Sequence, residues 1–208
     1  APPRRTAQPV VHGPQTAKVV GEGEVDCDEF GRILVHFHWD LDEAYSMRCR
    51  VSQSWAGSGW GGMVIPRIGM EVVVEFLEGD PDKPLVTGCV FNGANPPPMA
   101  LPEHRTRSTF KTSSVAAQGF NELTFEDKGG EEFIYLHAQK NLDMKVLNSA
   151  RRRVDFDDTV SVGNDSNLIV AANRTESIEG LLDLSVKGAM SEKIDGDLLI
   201  LPDFGSMD

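Results

Sequence analysis

From Arg153 to Ile200 the sequence repeats with a period of eight. Cut into eights it reads RVDFDDTV, SVGNDSNL, IVAANRTE, SIEGLLDL, SVKGAMSE and KIDGDLLI. The second place of all six blocks is a β-branched aliphatic: Val154, Val162, Val170, Ile178, Val186 and Ile194. A fixed short period signals stacked copies of one supersecondary unit, none of which buries its apolar side alone. Gly180, Gly188 and Gly196 fall on the fourth place and Gly163 on the third, with Asp or Asn common beside them. Each block is therefore expected to be a short strand followed by a turn.

The period also limits what one chain can do. Alternation along a strand puts places six, eight and two on one face. Place eight holds Val160, Leu168, Leu184 and Ile200 but also Glu176 and Glu192. So little apolar surface cannot hold a free-standing coil against the roughly 1–2 kcal/mol of backbone entropy lost per ordered residue. Three chains wound about a common axis resolve this. Each rung lies on one wall of a triangular prism, its edges pair with rungs of the other two chains, and the second-place residues meet at the axis. Two placements stay open for Glu176 and Glu192. At the axis, three copies could not all ionise without water, a cation or basic neighbours; the alternative is a partly solvated prism edge. An acidic disordered tail would not keep so strict a spacing.

Upstream, the pattern is strand, turn, strand. AKVVGEGEV is followed by RILVHFHW, with Ile33, Val35 and Phe37 on one side and Leu34, His36 and His38 on the other. MRCRVSQSW alternates Met47, Cys49 and Val51 with Arg48 and Arg50; MEVVVEFLEG and LVTGCVFNG supply two more strands. Five strands joined by turns and one Gly-rich loop, SWAGSGWGGMVIPRIG, fit a Greek-key barrel of the OB type. Later, NELTFED and EEFIYLHA predict a hairpin, and Leu142, Met144 and Val146 alternate after it. The expected organisation is an extended lead-in over 1–14, an OB domain over 15–95, an extended Pro-rich linker over 96–120, a trimeric β-helix needle over 121–200 and a tail over 201–208. In the linker, Arg105, Arg107 and Lys111 are open to two readings, contact with a neighbour's acidic needle or plain solvation.

Charge narrows the function classes. The formal net charge is −12, and both folded parts share it. Residues 15–95 carry thirteen acidic and six basic side chains, and residues 121–208 carry eighteen and nine. Either would repel a phosphate backbone, which disfavours an OB-type nucleic-acid binder. No run approaches a membrane span, and the Pro-rich, basic N-terminus lacks the apolar centre of a signal peptide. Cys27, Cys49 and Cys89 contain no CxxC pair and read as reduced thiols of a protein made in the cytoplasm.

Candidate chemistry is thin. His36 and His38 share a strand face at a spacing compatible with a metal, but no third ligand is near in sequence. Glu75 with Glu78, or Asp80 with Asp82, could be cast as a glycosidase couple; both sets flank turns and read as solvated ends. GxSxG, HExxH and P-loop motifs are absent. A β-helical carbohydrate-active enzyme or adhesin is the rival reading. No catalytic residue, metal or cofactor is expected.

The runs GRILVHFHWD, RVSQSWAGSGWGGMVIPRIGMEVVVEFLEGDPDKPLVTGCVFN and FNELTFEDKGGEEFIYLHAQKNLDMKV, followed by the octads, resemble the VgrG spikes of bacterial type VI secretion in order and spacing, from Pro14 to Ile200. The resemblance implies a homotrimeric, phage-tail-like, membrane-puncturing spike, assembled in the cytoplasm and injected into a target cell. It also implies an N-terminal hub domain that joins the Hcp tube or baseplate; the chain starts just before the OB part, so the hub is expected to be missing. A PAAR-type tip protein and effectors are the further partners implied. Leu199, Ile200 and Leu201 are expected to form the platform for that tip. Six octads at about 4.8 Å each would give a needle roughly 30 Å long.

Overall fold

The computed structural model describes residues 6–42 and 46–199. Five strands form the barrel: β1 (Gln15–Val20), β2 (Ile33–Phe37), β3 (Met47–Val51), β4 (Glu71–Phe76) and β5 (Pro84–Val90). Their order is β1-β2-β3-β5-β4, closed by the pairing of β1 with β4. Among the described residues only β3 and β5 run parallel. Closure leaves no free sheet edge, and the alternation read from the sequence decides which side chains enter. Ala17, Val19, Ile33, Val35, Cys49, Val72 and Val74 are fully buried, with Val86 and Phe37 nearly so. Met47, Val51, Ile65, Ile68, Met70 and Phe76 pack around them. Between Val73 and Val74 the register with β5 shifts, so that Val73 faces Gly88 while Val74 faces Val86. The skipped Thr87 is a bulge, the device by which a short strand bends enough to close a small barrel.

Two connections are tighter than their sequences suggest. The Gly-rich stretch is a small hairpin in which Gly57 N–H donates to the Trp60 carbonyl and Gly62 N–H to the Trp55 carbonyl, both at 2.9 Å. Trp55 and Trp60 meet edge to face at 4.8 Å. A Cβ on Gly57 would sit 2.3 Å from the Trp60 ring, so glycine is required by close approach. Between β4 and β5 a 3-10 turn over Leu77–Gly79 contains Glu78 at φ 58°. The lead-in docks on it, with Val11 N–H donating to the Gly79 carbonyl at 2.9 Å.

Three further strands, β6 (Arg107–Lys111), β7 (Glu122–Glu126) and β8 (Phe133–His137), make an antiparallel sheet in the order β6-β7-β8. The expected hairpin is β7–β8. Part of the stretch read as an extended linker is instead β6, paired with β7 from Arg107 opposite Glu126 to Lys111 opposite Glu122. RSTFK offers one aromatic among polar residues, too little apolar periodicity to announce a strand. The loop after β6 ties this sheet to the barrel: Arg67 Nη2 donates to the Ser113 carbonyl at 2.7 Å, and Ala116 N–H to Glu24 Oε1 at 2.9 Å.

Barrel and sheet belong to one compact unit, Ala1–Leu147, and the octads to a second, Asn148–Asp208. Among the described residues of the second unit no strand pairs with another part of the chain. Nor do Leu142, Met144 and Val146 form a strand. The physical reason is the one that called for three chains: an octad has no neighbouring rung of its own at strand distance, so its edges stay open in a single copy. No helix among the described residues is long and apolar enough to cross a membrane.

Candidate functional site

The repeat is written into the backbone. Bends occur at 155–156, 163–164, 171–172, 179–180, 187–188 and 195–196, the third and fourth places of all six octads. Place four is glycine in the last three blocks but Phe156, Asn164 and Ala172 in the first three, so the bend does not depend on glycine. The same phase continues upstream, with bends at 147–148 and 139–140. Two octads, 137–144 and 145–152, therefore precede the six visible in the sequence. Their second places are Ala138 and Val146. The signal was present, since Val146 lies eight residues before Val154, but Ala138 and the basic run Arg151–Arg153 conceal it.

Second-place residues share one environment. Val146, Val154, Val162, Val170, Ile178, Val186 and Ile194 are all 43–50% exposed, whereas Val160, Leu168 and Leu184 at place eight are 66–73% exposed. Each octad thus half-covers its second-place side chain and leaves the rest for another surface. Of the residues expected at the tip, Leu199 is exposed; Ile200 and Leu201 lie outside the described residues. Arg174 Nη2 donates to Glu176 Oε2 at 2.8 Å, so this place-eight carboxylate has a basic neighbour in its own octad. Arg152 pairs likewise with Asp158.

The β6–β7–β8 sheet has two contrasting faces. On one, Glu122, Thr124 and Glu126 of the central strand are buried, and side chains of β6 meet them. Arg107 Nε is 2.8 Å from Glu126 Oε2 and Lys111 Nζ is 3.2 Å from Glu122 Oε2. Two of the basic residues left open in the linker are thus paired within their own chain. Thr106 Oγ1 donates to Glu126 Oε1 at 2.5 Å and Lys128 N–H to the same oxygen at 3.0 Å. The Thr106 hydroxyl, then Arg107, hold the Glu126 carboxyl down at about 2. Glu122 is lowered first by its Thr124 hydrogen bond and then by Lys111. On the opposite face lie Phe110, Leu123, Phe125, Ile134 and Leu136, all exposed.

The other candidates take structural places. His36 Nε2 lies 3.4 Å from Asp40 Oδ2, and no group of three metal-ligating side chains occurs among the described residues. Glu78 and Asp80 both approach Lys83 Nζ at the β4–β5 turn, at 3.7 and 3.5 Å. Burial in the barrel raises the Cys49 thiol to about 11, well away from reactivity.

Two families match in tandem. Residues 15–91 match the type VI secretion system/phage-baseplate injector OB domain, and residues 108–200 match the bacteriophage T4 gp5 C-terminal trimerisation domain. Among curated proteins, the type VI secretion system spike protein VgrG1a of Pseudomonas aeruginosa is 45% identical over 205 residues, covering 94% of this chain and 32% of that protein. VgrG4b of the same organism is 46% identical over 179 residues, covering 83% and 21%. The actin cross-linking toxin VgrG1 of Vibrio cholerae is 47% identical over 181 residues, covering 84% and 16%. The chain spans between about a sixth and a third of the length of these relatives.

Proposed function

The chain belongs to the VgrG family of type VI secretion spike proteins, and from that membership we propose that it acts mechanically, as the shaft of a homotrimeric spike that carries a tip protein and effectors into a target cell. The unbroken phase of eight bends, seven of them after a half-covered second-place aliphatic, carries this reading. Three such chains would place Val154, Val162, Val170, Ile178, Val186 and Ile194 against one another. Their rungs would share main-chain hydrogen bonds along the needle, so force on the tip spreads over many bonds and no edge is left open. Eight octads at about 4.8 Å lengthen the prism to roughly 38 Å.

Function by shape rather than by catalysis fits the sites described: Glu78 and Asp80 approach Lys83 at a turn, and His36 lies on a barrel strand. One relative is named a toxin and two are named spike proteins, while all share this portion. That pattern supports reading the shared portion as the carrier. We place the domain limits at an OB domain over 15–95 and a needle whose octads start at 137, which the phase of the bends supports. Assembly in the cytoplasm, export by injection, and engagement of an Hcp tube or baseplate through a preceding hub complete the proposal.

A tip-binding experiment tests it. Three copies of Leu199, Ile200 and Leu201 would form a blunt apolar platform with open strand edges, a surface that recruits a partner. A PAAR-type protein should bind the intact trimer in a pull-down and lose binding when residues after Gly196 are removed from a variant that still trimerises. Undiminished binding would move the docking site elsewhere, and no binding to the intact trimer would remove the tip-carrying role.

A further inference from the structure

We infer that the cleft between the β1–β2 loop and the tryptophan hairpin is a docking site for an extended, arginine-bearing segment of a partner protein. The site lies on the barrel, apart from the octads that carry the shaft reading, and does not rest on that reading. The cleft has a volume of about 630 Å³ and is walled by Glu29, Phe30, Trp55, Trp60 and Met63. Trp55 is 66% and Trp60 57% exposed. Large rings left in water together mark a contact surface rather than a core.

Both walls are held before anything binds. On one side the Phe30 and Arg32 N–H groups donate to Asp28 Oδ1 at 3.0 and 2.9 Å. On the other, the cross-hairpin bonds keep the ring pair in place, and Gln53 clamps the end of the loop. Its Nε2 donates to the Val64 carbonyl at 3.0 Å, and its Oε1 accepts from the Val64 N–H at 2.9 Å. A preformed cleft loses little affinity to ordering.

Charge and backbone geometry select the occupant. Glu29 lines the cleft, and among the described residues no hydrogen bond or ion pair engages its carboxylate. Residues 15–95 carry thirteen acidic and six basic side chains, so the site favours a cation. Indole faces beside a carboxylate suit a guanidinium above other cations, because it stacks on a ring while its fork of N–H donors reaches the oxygens. The rim already holds one such contact: Arg32 lies 5.4 Å over the Phe30 ring, its charge offset by Asp28 at 2.6 Å. The hairpin backbone asks for a peptide. Ala56 and Gly61 face each other across it, but the bonds run from Gly57 to Trp60 and from Gly62 to Trp55. The N–H and C=O groups of Ala56 and Gly61 therefore point outwards, open to an added strand. A lipid headgroup would leave those groups unused.

Peptide retention on the immobilised full chain tests this. Two pools of capped hexapeptides, uncharged at the other places, carry at the third place either arginine or its neutral analogue citrulline, and retained peptide is quantified by mass spectrometry. The arginine pool should be retained about tenfold over the citrulline pool, as a charge-assisted bidentate contact requires. Glu29→Gln, at an exposed position, should abolish that preference without lowering the melting temperature. Tryptophan emission of the wild-type chain should shift with the arginine pool and stay constant with the citrulline pool. Equal retention of the two pools, no retention of either, or a preference that survives Glu29→Gln overturns the inference. So does binding of phosphatidylcholine vesicles in place of peptide.

Discussion

Glu126 accepts hydrogen bonds from the Thr106 hydroxyl and the Lys128 N–H while Arg107 lies against its other oxygen. Its folded value of about 2 lies below the ordinary 4.5. A depressed carboxyl contributes stability that is fully present above its unfolded value and lost as pH falls through the folded one. The melting temperature of wild type should therefore approach that of Glu126→Gln as pH falls from about 4.5 to about 2; a gap that stays constant would show that the carboxylate charge is not what matters. Gly61 makes a different claim. Its φ is +137°, and a Cβ there would lie 2.4 Å from the Trp55 carbonyl oxygen. Gly61→Ala should cost about 1–3 kcal/mol and loosen the tryptophan pair, read as lowered thermal stability with a changed tryptophan emission. Wild-type emission and melting would refute the close-approach argument. The close approach was legible in the glycines of SWAGSGWGGMVIPRIG, but the Glu126 site was not, because hydroxyl-to-carboxylate contacts depend on the pairing of β6 with β7 and RSTFK does not advertise a strand.

Among the elements, those that bury one face against the rest of their own chain were legible. β2 and β3 alternate so cleanly that Ile33, Val35 and Cys49 could be placed inside before any strand was paired. β6 was hidden because its only large apolar residue, Phe110, points to a face that this chain does not cover. The octads were legible for the opposite reason: a repeat announces itself by phase even where nothing packs on it, although Ala138 and Arg152 obscured the first two. Phase also supplies a test. Removing residues 169–176 deletes one whole octad and keeps every second-place residue in register. Removing only 169–172 displaces all later rungs by half a period. Sedimentation should show the first variant associating like wild type and the second losing association; equal behaviour would mean that the period of eight does not govern assembly.

On the scale of the molecule, the barrel is complete in one chain whereas two surfaces remain open, the octad face and the apolar face of the three-stranded sheet. For the octad face we propose one partner, further copies of the chain, and the tandem of an injector OB domain with a trimerisation domain agrees with that. Oligomers of this kind close by cyclic symmetry, so assembly should stop at a fixed number. The most direct test is the molar mass of the chain in solution, by light scattering across a dilution series. One chain is 22.8 kDa. The account predicts a single species of three times that, about 68 kDa, unchanged on dilution; a monodisperse species at 22.8 kDa would contradict it.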